Sequence, residues 1–274
     1  GNVEWWEANP MTYDWEGERT AKEGTREWFR QADDEFWEIS KGFAHPQFPD
    51  AAPFSKLVDY PALKNRKVLE IGCGIGAHAQ MLAQSGAELT AIDLTERAVL
   101  FTKRRFELFG INNAQVMQCD AENLPFADNR FDFIWSWGVI HHSSDTESIV
   151  KEMKRVLKPG GKASVMVYNR NSTRYFVHGL YQGICRGKFI RHRSLYAVNM
   201  TFTDGYIARH YTRKTAQHLF AGFSSVTTRV MDSAVPSVLP GWGRLSRWFP
   251  ALMQPVNHWI NGRWGWFLFV TAVK

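Results

Sequence analysis

Only three cysteines occur in the 274 residues, at positions 73, 119 and 185. Their number and spacing give neither a disulfide framework nor a CxxC zinc pair. A reducing, cytoplasmic compartment with no bound metal is the expectation. No apolar run approaches the roughly 18 residues of a membrane-spanning helix. The opening Gly1-Asn2-Val3-Glu4-Trp5-Trp6 lacks the basic and apolar regions of a secretory leader, so none is expected. Internal repeats are also lacking. Hydrophobic residues at 45% against 22% charged exclude a disordered chain.

Acids are scarce in the second half. Residues 151–274 hold 19 Lys+Arg against 3 Asp+Glu, a net of +16, whereas residues 1–150 hold 14 against 24, a net of −10. Nine basic residues lie between Asn169 and Lys214, with Asp204 the one acid among them. Such asymmetry points to an anionic partner, or to a solvated basic face beside an acidic first half.

What is present is alternation. Gly24–Lys41 reads as an amphipathic helix, followed by a proline-rich connection at Pro46, Pro49, Pro53 and Pro61. From Lys67 onward, short apolar runs alternate with helical stretches. Strands are expected at 68–71, 89–92, 115–119, 131–135 and 162–168. Helices are expected at 76–85, from a Thr95 cap to Gly110, and at 147–157, with a turn at Pro159-Gly160-Gly161. This is the signature of βαβ units: a Rossmann-like, doubly wound α/β fold. After Tyr168 the alternation breaks, to resume with a helix at 212–221 and strands at 225–230 and 266–273. The organisation expected is a helical lid (1–60), a core (61–168), a basic cap or insertion (169–211) and a C-terminal part completing the sheet (212–274).

Strand 68–71 runs into Gly72-Cys73-Gly74-Ile75-Gly76-Ala77, a strand-to-helix bend at the carboxyl edge of the sheet. Asp93 ends the second strand, where a carboxylate can accept both hydroxyls of a ribose. The bend also satisfies the dinucleotide pattern, so an NAD(P) enzyme competes. Against it stands Glu70, which would repel a pyrophosphate but suits a ligand bearing an ammonium. Asp120 follows the third strand, where it can hold an adenine amino group. A fourth strand then leads through Ser136 to His141-His142.

Taken in order, LEIGCGIG, AIDLT, CDAENLPF, FDFIWSWGVIHH and VLKPGG resemble the class I S-adenosylmethionine-dependent methyltransferases of the small-molecule and quinone type. The resemblance is strong over 66–168 and weakest over 1–60 and 169–208. It implies a mostly parallel, seven-stranded sheet with helices on both faces. It also implies S-adenosylmethionine as cofactor, S-adenosylhomocysteine as product, and no metal. Glu70, Gly72, Cys73, Gly74 and Gly76 would surround the methionine portion. Asp93 would take the ribose, and Leu94 would lie beside the adenine. Asp120 would hold its amino group, helped by backbone at Ala121 and Glu122, and the Ser136 carbonyl would receive the ammonium.

His141 and His142 are the candidate bases, His141 the first choice, for methylation of a hydroxyl. Tyr13, His210, Tyr211 and Arg174 are candidates for acceptor binding. A small-molecule, anionic acceptor is expected. The alternatives are a lipid or quinone acceptor at a membrane surface, an RNA acceptor, or binding without transfer. Arg244, Arg247 and Trp242, Trp248, Trp259 and Trp264 suit peripheral membrane contact, with Pro240, Pro250 and Pro255 breaking any long helix. No RNA-binding module is visible, which disfavours nucleic acid.

Overall fold

The structure, a computed structural model, describes residues 1–12, 19–44, 53–232 and 241–274. Two helices come first, α1 (Asn2–Ala8) and α2 (Arg26–Ala44). α2 buries Trp28, Phe29, Ala32, Phe36 and Phe43, the four-residue stripe expected of an amphipathic helix.

The alternating core follows as β1 (Lys67–Ile71), α3 (Ala77–Gln84), β2 (Glu88–Asp93), α4 (Glu96–Phe109), β3 (Ala114–Gln118), β4 (Phe131–Trp137), α5 (Thr146–Val156) and β5 (Leu157–Asn169). Its boundaries are written in side-chain chemistry. Thr95 caps α4 by accepting from Ala98 N–H, and Gly110 closes that helix at φ +69°. Asp145 caps α5 by accepting from Ser148 N–H. The expected turn at Pro159-Gly160-Gly161 falls inside β5. There the register shifts opposite Phe131 and Phe133, and Gly160 takes φ +76°, so the strand begins five residues early and bends.

The segment after β5 holds a π-helical turn (Arg174–His178), α6 (Gly179–Ile184), a 3₁₀ turn (Lys188–Ile190) and α7 (Leu195–Met200). A two-residue strand, β6 (His210–Tyr211), pairs with β5. The chain ends with α8 (Arg213–Leu219), β7 (Ser225–Met231), α9 (Trp242–Trp248), α10 (Pro250–Trp264) and β8 (Phe267–Val273). Pro240 lies outside the described residues, and Pro250 and Pro255 do not prevent helix. Pro250 occupies the first turn of α10, where no N–H is needed, and Pro255 lies within it.

The sheet order is β3-β2-β1-β4-β5-β8-β7, with β6 added beside β5. The first five strands are parallel, and β8 runs antiparallel to both β5 and β7. This is the expected seven-stranded, mostly parallel sheet with one short addition. Alternate strand residues serve opposite faces. Leu69, Ile71, Ile134 and Val165 pack with Ile149 and Met153 of α5 and Phe220, whereas Val68, Phe133 and Trp135 pack with Leu82 of α3 and Phe36 of α2.

Candidate active site

The strands β1, β2 and β4 all end at one rim, where three loops enclose a cavity of about 730 Å³. That is ample for a nucleoside-sized ligand together with an acceptor. Gly72 takes φ +80°, and a Cβ there would lie 2.1 Å from Val139 Cγ2; at Gly76 (φ +82°) it would lie 3.0 Å from Thr102 Oγ1. At Gly74 (φ +53°) a Cβ would meet nothing within 4 Å. The outer glycines let the chain pack against the loop after β4 and against α4, and the middle one presents bare backbone to open space.

Asp93 lies beside this bend. Its Oδ2 accepts from Gly74 N–H (3.0 Å), and its Oδ1 accepts from Thr95 N–H (3.0 Å) and Thr95 Oγ1–H (2.9 Å). Burial raises the carboxyl, opposed by these donors. Leu94, Cys119, Asp120, Ala121 and Glu122 continue the wall. Asp120 Oδ1 accepts from Glu122 N–H at 2.9 Å. Glu122 Oε1 is occupied by Ser143 Oγ–H (2.6 Å), Ser144 Oγ–H (2.8 Å) and Asp145 N–H (3.0 Å), so its side chain braces the loop before α5.

Several candidates stand behind the wall. Glu70 is buried in β1, and its Oε2 has no hydrogen-bond partner. Burial, then repulsion from Asp93, pushes its carboxyl well up. Gly76 and Ser136 are also outside the lining, Ser136 Oγ donating to Ile71 O at 3.1 Å. Gly72, Cys73 and Gly74 do line the cavity.

The two histidines separate. His141 is fully buried off the cavity, its ring 4.1 Å from that of His142 and 4.0 Å from that of Tyr168, with neither ring nitrogen partnered. His142 lines the cavity. Its Nδ1 lies 2.7 Å from the carbonyl of Ile207. A carbonyl only accepts, so Nδ1 carries the proton and the free lone pair sits on Nε2. Burial lowers His142 to about 4, against the opposing pull of that carbonyl. Gly205, at φ +89°, makes room for the ring, because a Cβ there would fall 2.4 Å from Nδ1. Above it lie Trp6, with rings 4.9 Å apart, and Asn2, whose Nδ2 donates to His142 O at 2.9 Å.

Much of the remaining lining is aromatic and apolar, with Phe36, Phe43, Trp137, Met166, Tyr168, Trp266 and Phe267. Of the nine basic residues between 169 and 214, Arg174 alone lines the cavity, its guanidinium carbon 5.0 Å from the Trp266 ring centre. Asp204 and Asp232 share this wall. His210 and Tyr211 do not reach it. His210 packs against Tyr175 (4.9 Å) and Trp266 (5.2 Å), and Tyr211 packs against the main core. Tyr13 lies outside the described residues.

Sequence reasoning missed His78, Trp137, Asp204, Asp232 and Trp266 as lining residues. Asp204 had a signal, being the one acid in a basic run. His78 had none: it lies in α3, is lowered to about 3 by burial and then by Arg105, and sits among Phe54 (4.7 Å) and Trp135 (5.3 Å). Among the described residues, no group of three or more His, Cys, Asp or Glu could hold a metal, and no helix is long and apolar enough to cross a membrane.

Residues 69–165 match the family described as methyltransferase domain. The chain is 38% identical over 113 residues to the biotin biosynthesis bifunctional protein BioHC of Cellvibrio japonicus, covering 40% of this chain and 22% of that protein. It is 34% identical over 113 residues to the ubiquinone biosynthesis O-methyltransferase of Coxiella burnetii, covering 41% of this chain and 48% of that one. The matched region thus spans less than half the length of these relatives. Among solved structures, a SAM-dependent methyltransferase from Methanosarcina mazei superposes with TM-score 0.54 at 17% identity, over 84% of this chain and 99% of that one. A second, from Aquifex aeolicus, superposes with TM-score 0.52 at 16% identity, over 89% and 97%. These likenesses speak to the fold. Residues 69–165 are thus similar to the methyltransferase domain family, and the fold is that of the two solved structures.

Proposed function

We propose that the chain transfers a methyl group from S-adenosylmethionine to a hydroxyl of a small molecule with an extended apolar body. The observation that carries this reading is the cavity itself. Its lining includes both the Gly74 backbone with Asp93 and the neutral imidazole of His142. The residues present fit the donor. Bare backbone at Gly74 leaves room for its methionine portion, Asp93 Oδ2 retains one lone pair for a ribose hydroxyl, and the unpartnered Glu70 Oε2 leaves an unsatisfied polar atom behind the bend. Asp120, Ala121 and Leu94 would flank the adenine. When bound, S-adenosylmethionine supplies a methyl already activated on a sulfonium.

The work left to the protein is alignment and proton removal. Alignment alone can be worth about 7–11 kcal/mol of a barrier. The aromatic wall of Phe36, Phe43, Trp137, Tyr168 and Trp266 holds the acceptor body and excludes water. His142 Nε2 accepts a hydrogen bond from the acceptor hydroxyl and receives its proton as the oxygen becomes alkylated. A contribution of roughly 10²- to 10⁴-fold is the ordinary range for such a base. An anionic group on the acceptor would find Arg174, although Asp204 on the same wall balances that charge. The segment 1–60 serves as lid and 169–211 as cap, which supplies Arg174, Thr203 and Asp204. The lipid or quinone reading draws support from the apolar wall and from the Coxiella relative's name; the RNA reading rests on charge alone.

Isothermal titration with S-adenosylmethionine, S-adenosylhomocysteine and NAD tests the donor assignment. We expect the first two to bind and NAD not to bind. Asp93→Asn should weaken both adenosyl ligands by about tenfold or more, the loss of one charge-assisted hydrogen bond. Tight NAD binding with no response to the other two would overturn the reading.

A further inference from the structure

The insertion between β7 and β8 carries chemistry that the methyl-transfer site does not use. α10 buries Met253, Asn257 and Ile260 against the body of the protein. A second stripe, Leu252, Val256, Trp259 and Arg263, runs along the same helix at the same spacing and stays exposed. Across the α9–α10 junction the pattern continues through Leu245, Trp248 and Phe249. Trp248 and Leu252 are each 70% exposed and Trp259 is 57% exposed. Large apolar side chains concentrated like this mark a contact surface.

The charge of the segment selects the partner. Residues 242–264 contain Arg244, Arg247, Arg263 and His258, and no aspartate or glutamate. All four basic side chains are exposed. Aromatic and aliphatic residues beside arginines, on helices too short to span a bilayer, are the composition of a segment lying in the headgroup region of an anionic membrane. Three arginines and no acid around the apolar stripe favour a negatively charged partner surface.

The pair of helices is also built as a rigid unit. Trp242 Nε1–H donates to Asn257 Oδ1 at 2.8 Å, and Asn257 Nδ2–H donates to Ser246 Oγ at 3.2 Å, joining α9 to α10 on the inner side. At the exit of α10, Gly265 sits so tightly that a Cβ would lie 2.4 Å from Met231 O. The next two residues, Trp266 and Phe267, line the cavity. We infer that α9 and α10 form an interfacial docking element that seats the protein on anionic phospholipid surfaces with its cavity at the membrane boundary.

This inference goes beyond the methyl-transfer reading and is tested without either substrate. The full chain is sedimented with vesicles of phosphatidylcholine alone or mixed with phosphatidylglycerol. Binding to the mixed vesicles and not to the neutral ones is expected, weakening as salt rises. The combined change Trp248→Ser, Leu252→Ser, Trp259→Ser should reduce binding by about tenfold or more. Arg244→Gln with Arg247→Gln should each cost about fivefold. These side chains are exposed, so circular dichroism and the melting temperature should stay unchanged and certify the fold. Substituting Arg186, Arg191 and Arg193 by Gln in the cap should leave binding nearly intact. The proposal is overturned if the native chain stays in the supernatant with both vesicle types. It is equally overturned if the cap variant abolishes binding while the α9–α10 variant does not, or if the face instead mediates self-association that the serine changes dissolve.

Discussion

His142 and Gly205 act as one unit. The imidazole keeps its orientation because Nδ1–H is committed to Ile207 O and because Gly205 offers no side chain where the ring lies. His142→Gln should therefore leave donor affinity within about twofold and lower turnover by roughly 10²-fold or more. Gly205→Ala should reproduce much of that loss from outside the cavity, since a methyl group at φ +89° is strained and meets the ring. Single-turnover rates alongside calorimetry would check both; a Gly205→Ala enzyme with native turnover would remove the positioning role. Glu70 supplies the pH dependence. Its folded value lies above its ordinary one, through burial first and Asp93 second. Its stabilising contribution is therefore complete at low pH and is lost as pH rises through the folded value. Glu70→Gln, which does not titrate, should melt close to the native protein at about pH 4 and progressively above it toward about pH 8. A gap that stays constant with pH would show that Glu70 has an ordinary value.

Among the elements, α2 is tied to the core by charge. Arg105 of α4 reaches Asp33 of α2 with Nη2–Oδ1 at 2.7 Å and Nη1–Oδ2 at 3.2 Å, and its guanidinium carbon lies 4.7 Å from the Phe29 ring centre. Arg105 is fully buried. Removing it would strand Asp33, whose carboxyl burial already raises against the pull of that arginine. Arg105→Ala should cost about 3–5 kcal/mol, a fall of roughly 10 °C in melting temperature by calorimetry. A loss of one or two degrees would mean that apolar packing alone holds α2, with Phe36 and Phe43, against the site. The elements from β1 to α5 were legible because their ends carry local chemistry: Thr95, Gly110 and the glycine bend act through their own backbone neighbourhood. The stretch from 169 to 211 was not, because its folding depends on contacts between residues distant in sequence. Gly179 of α6 is pressed so closely on α7 that a Cβ would lie 2.6 Å from Asn199 Nδ2, and nothing local announces that. The site divides in the same way. Asp93 and Gly74 follow from strand ends. Which of two adjacent histidines faces the cavity is decided by a 3₁₀ turn and by what packs behind it. Glu70 and Ser136 lie in strands a step behind the wall, a matter of register that spacing alone does not resolve.

For the molecule as a whole, donor binding and stability are linked. A ligand that binds only the folded chain at about 100 times its dissociation constant adds about 2.7 kcal/mol, which in a chain of this size corresponds to roughly 5–10 °C. S-adenosylhomocysteine should raise the melting temperature by that amount, and NAD at the same concentration should leave it unchanged. Equal shifts with both would indicate a generic nucleotide crevice. One last feature reaches beyond the reaction. Because β8 runs against β5 and β7, the hairpin that feeds it opens on the same rim as the parallel strand ends. Whatever sequence is spliced into that hairpin lands beside the mouth of the cavity. Address and chemistry can then change independently, one insertion at a time.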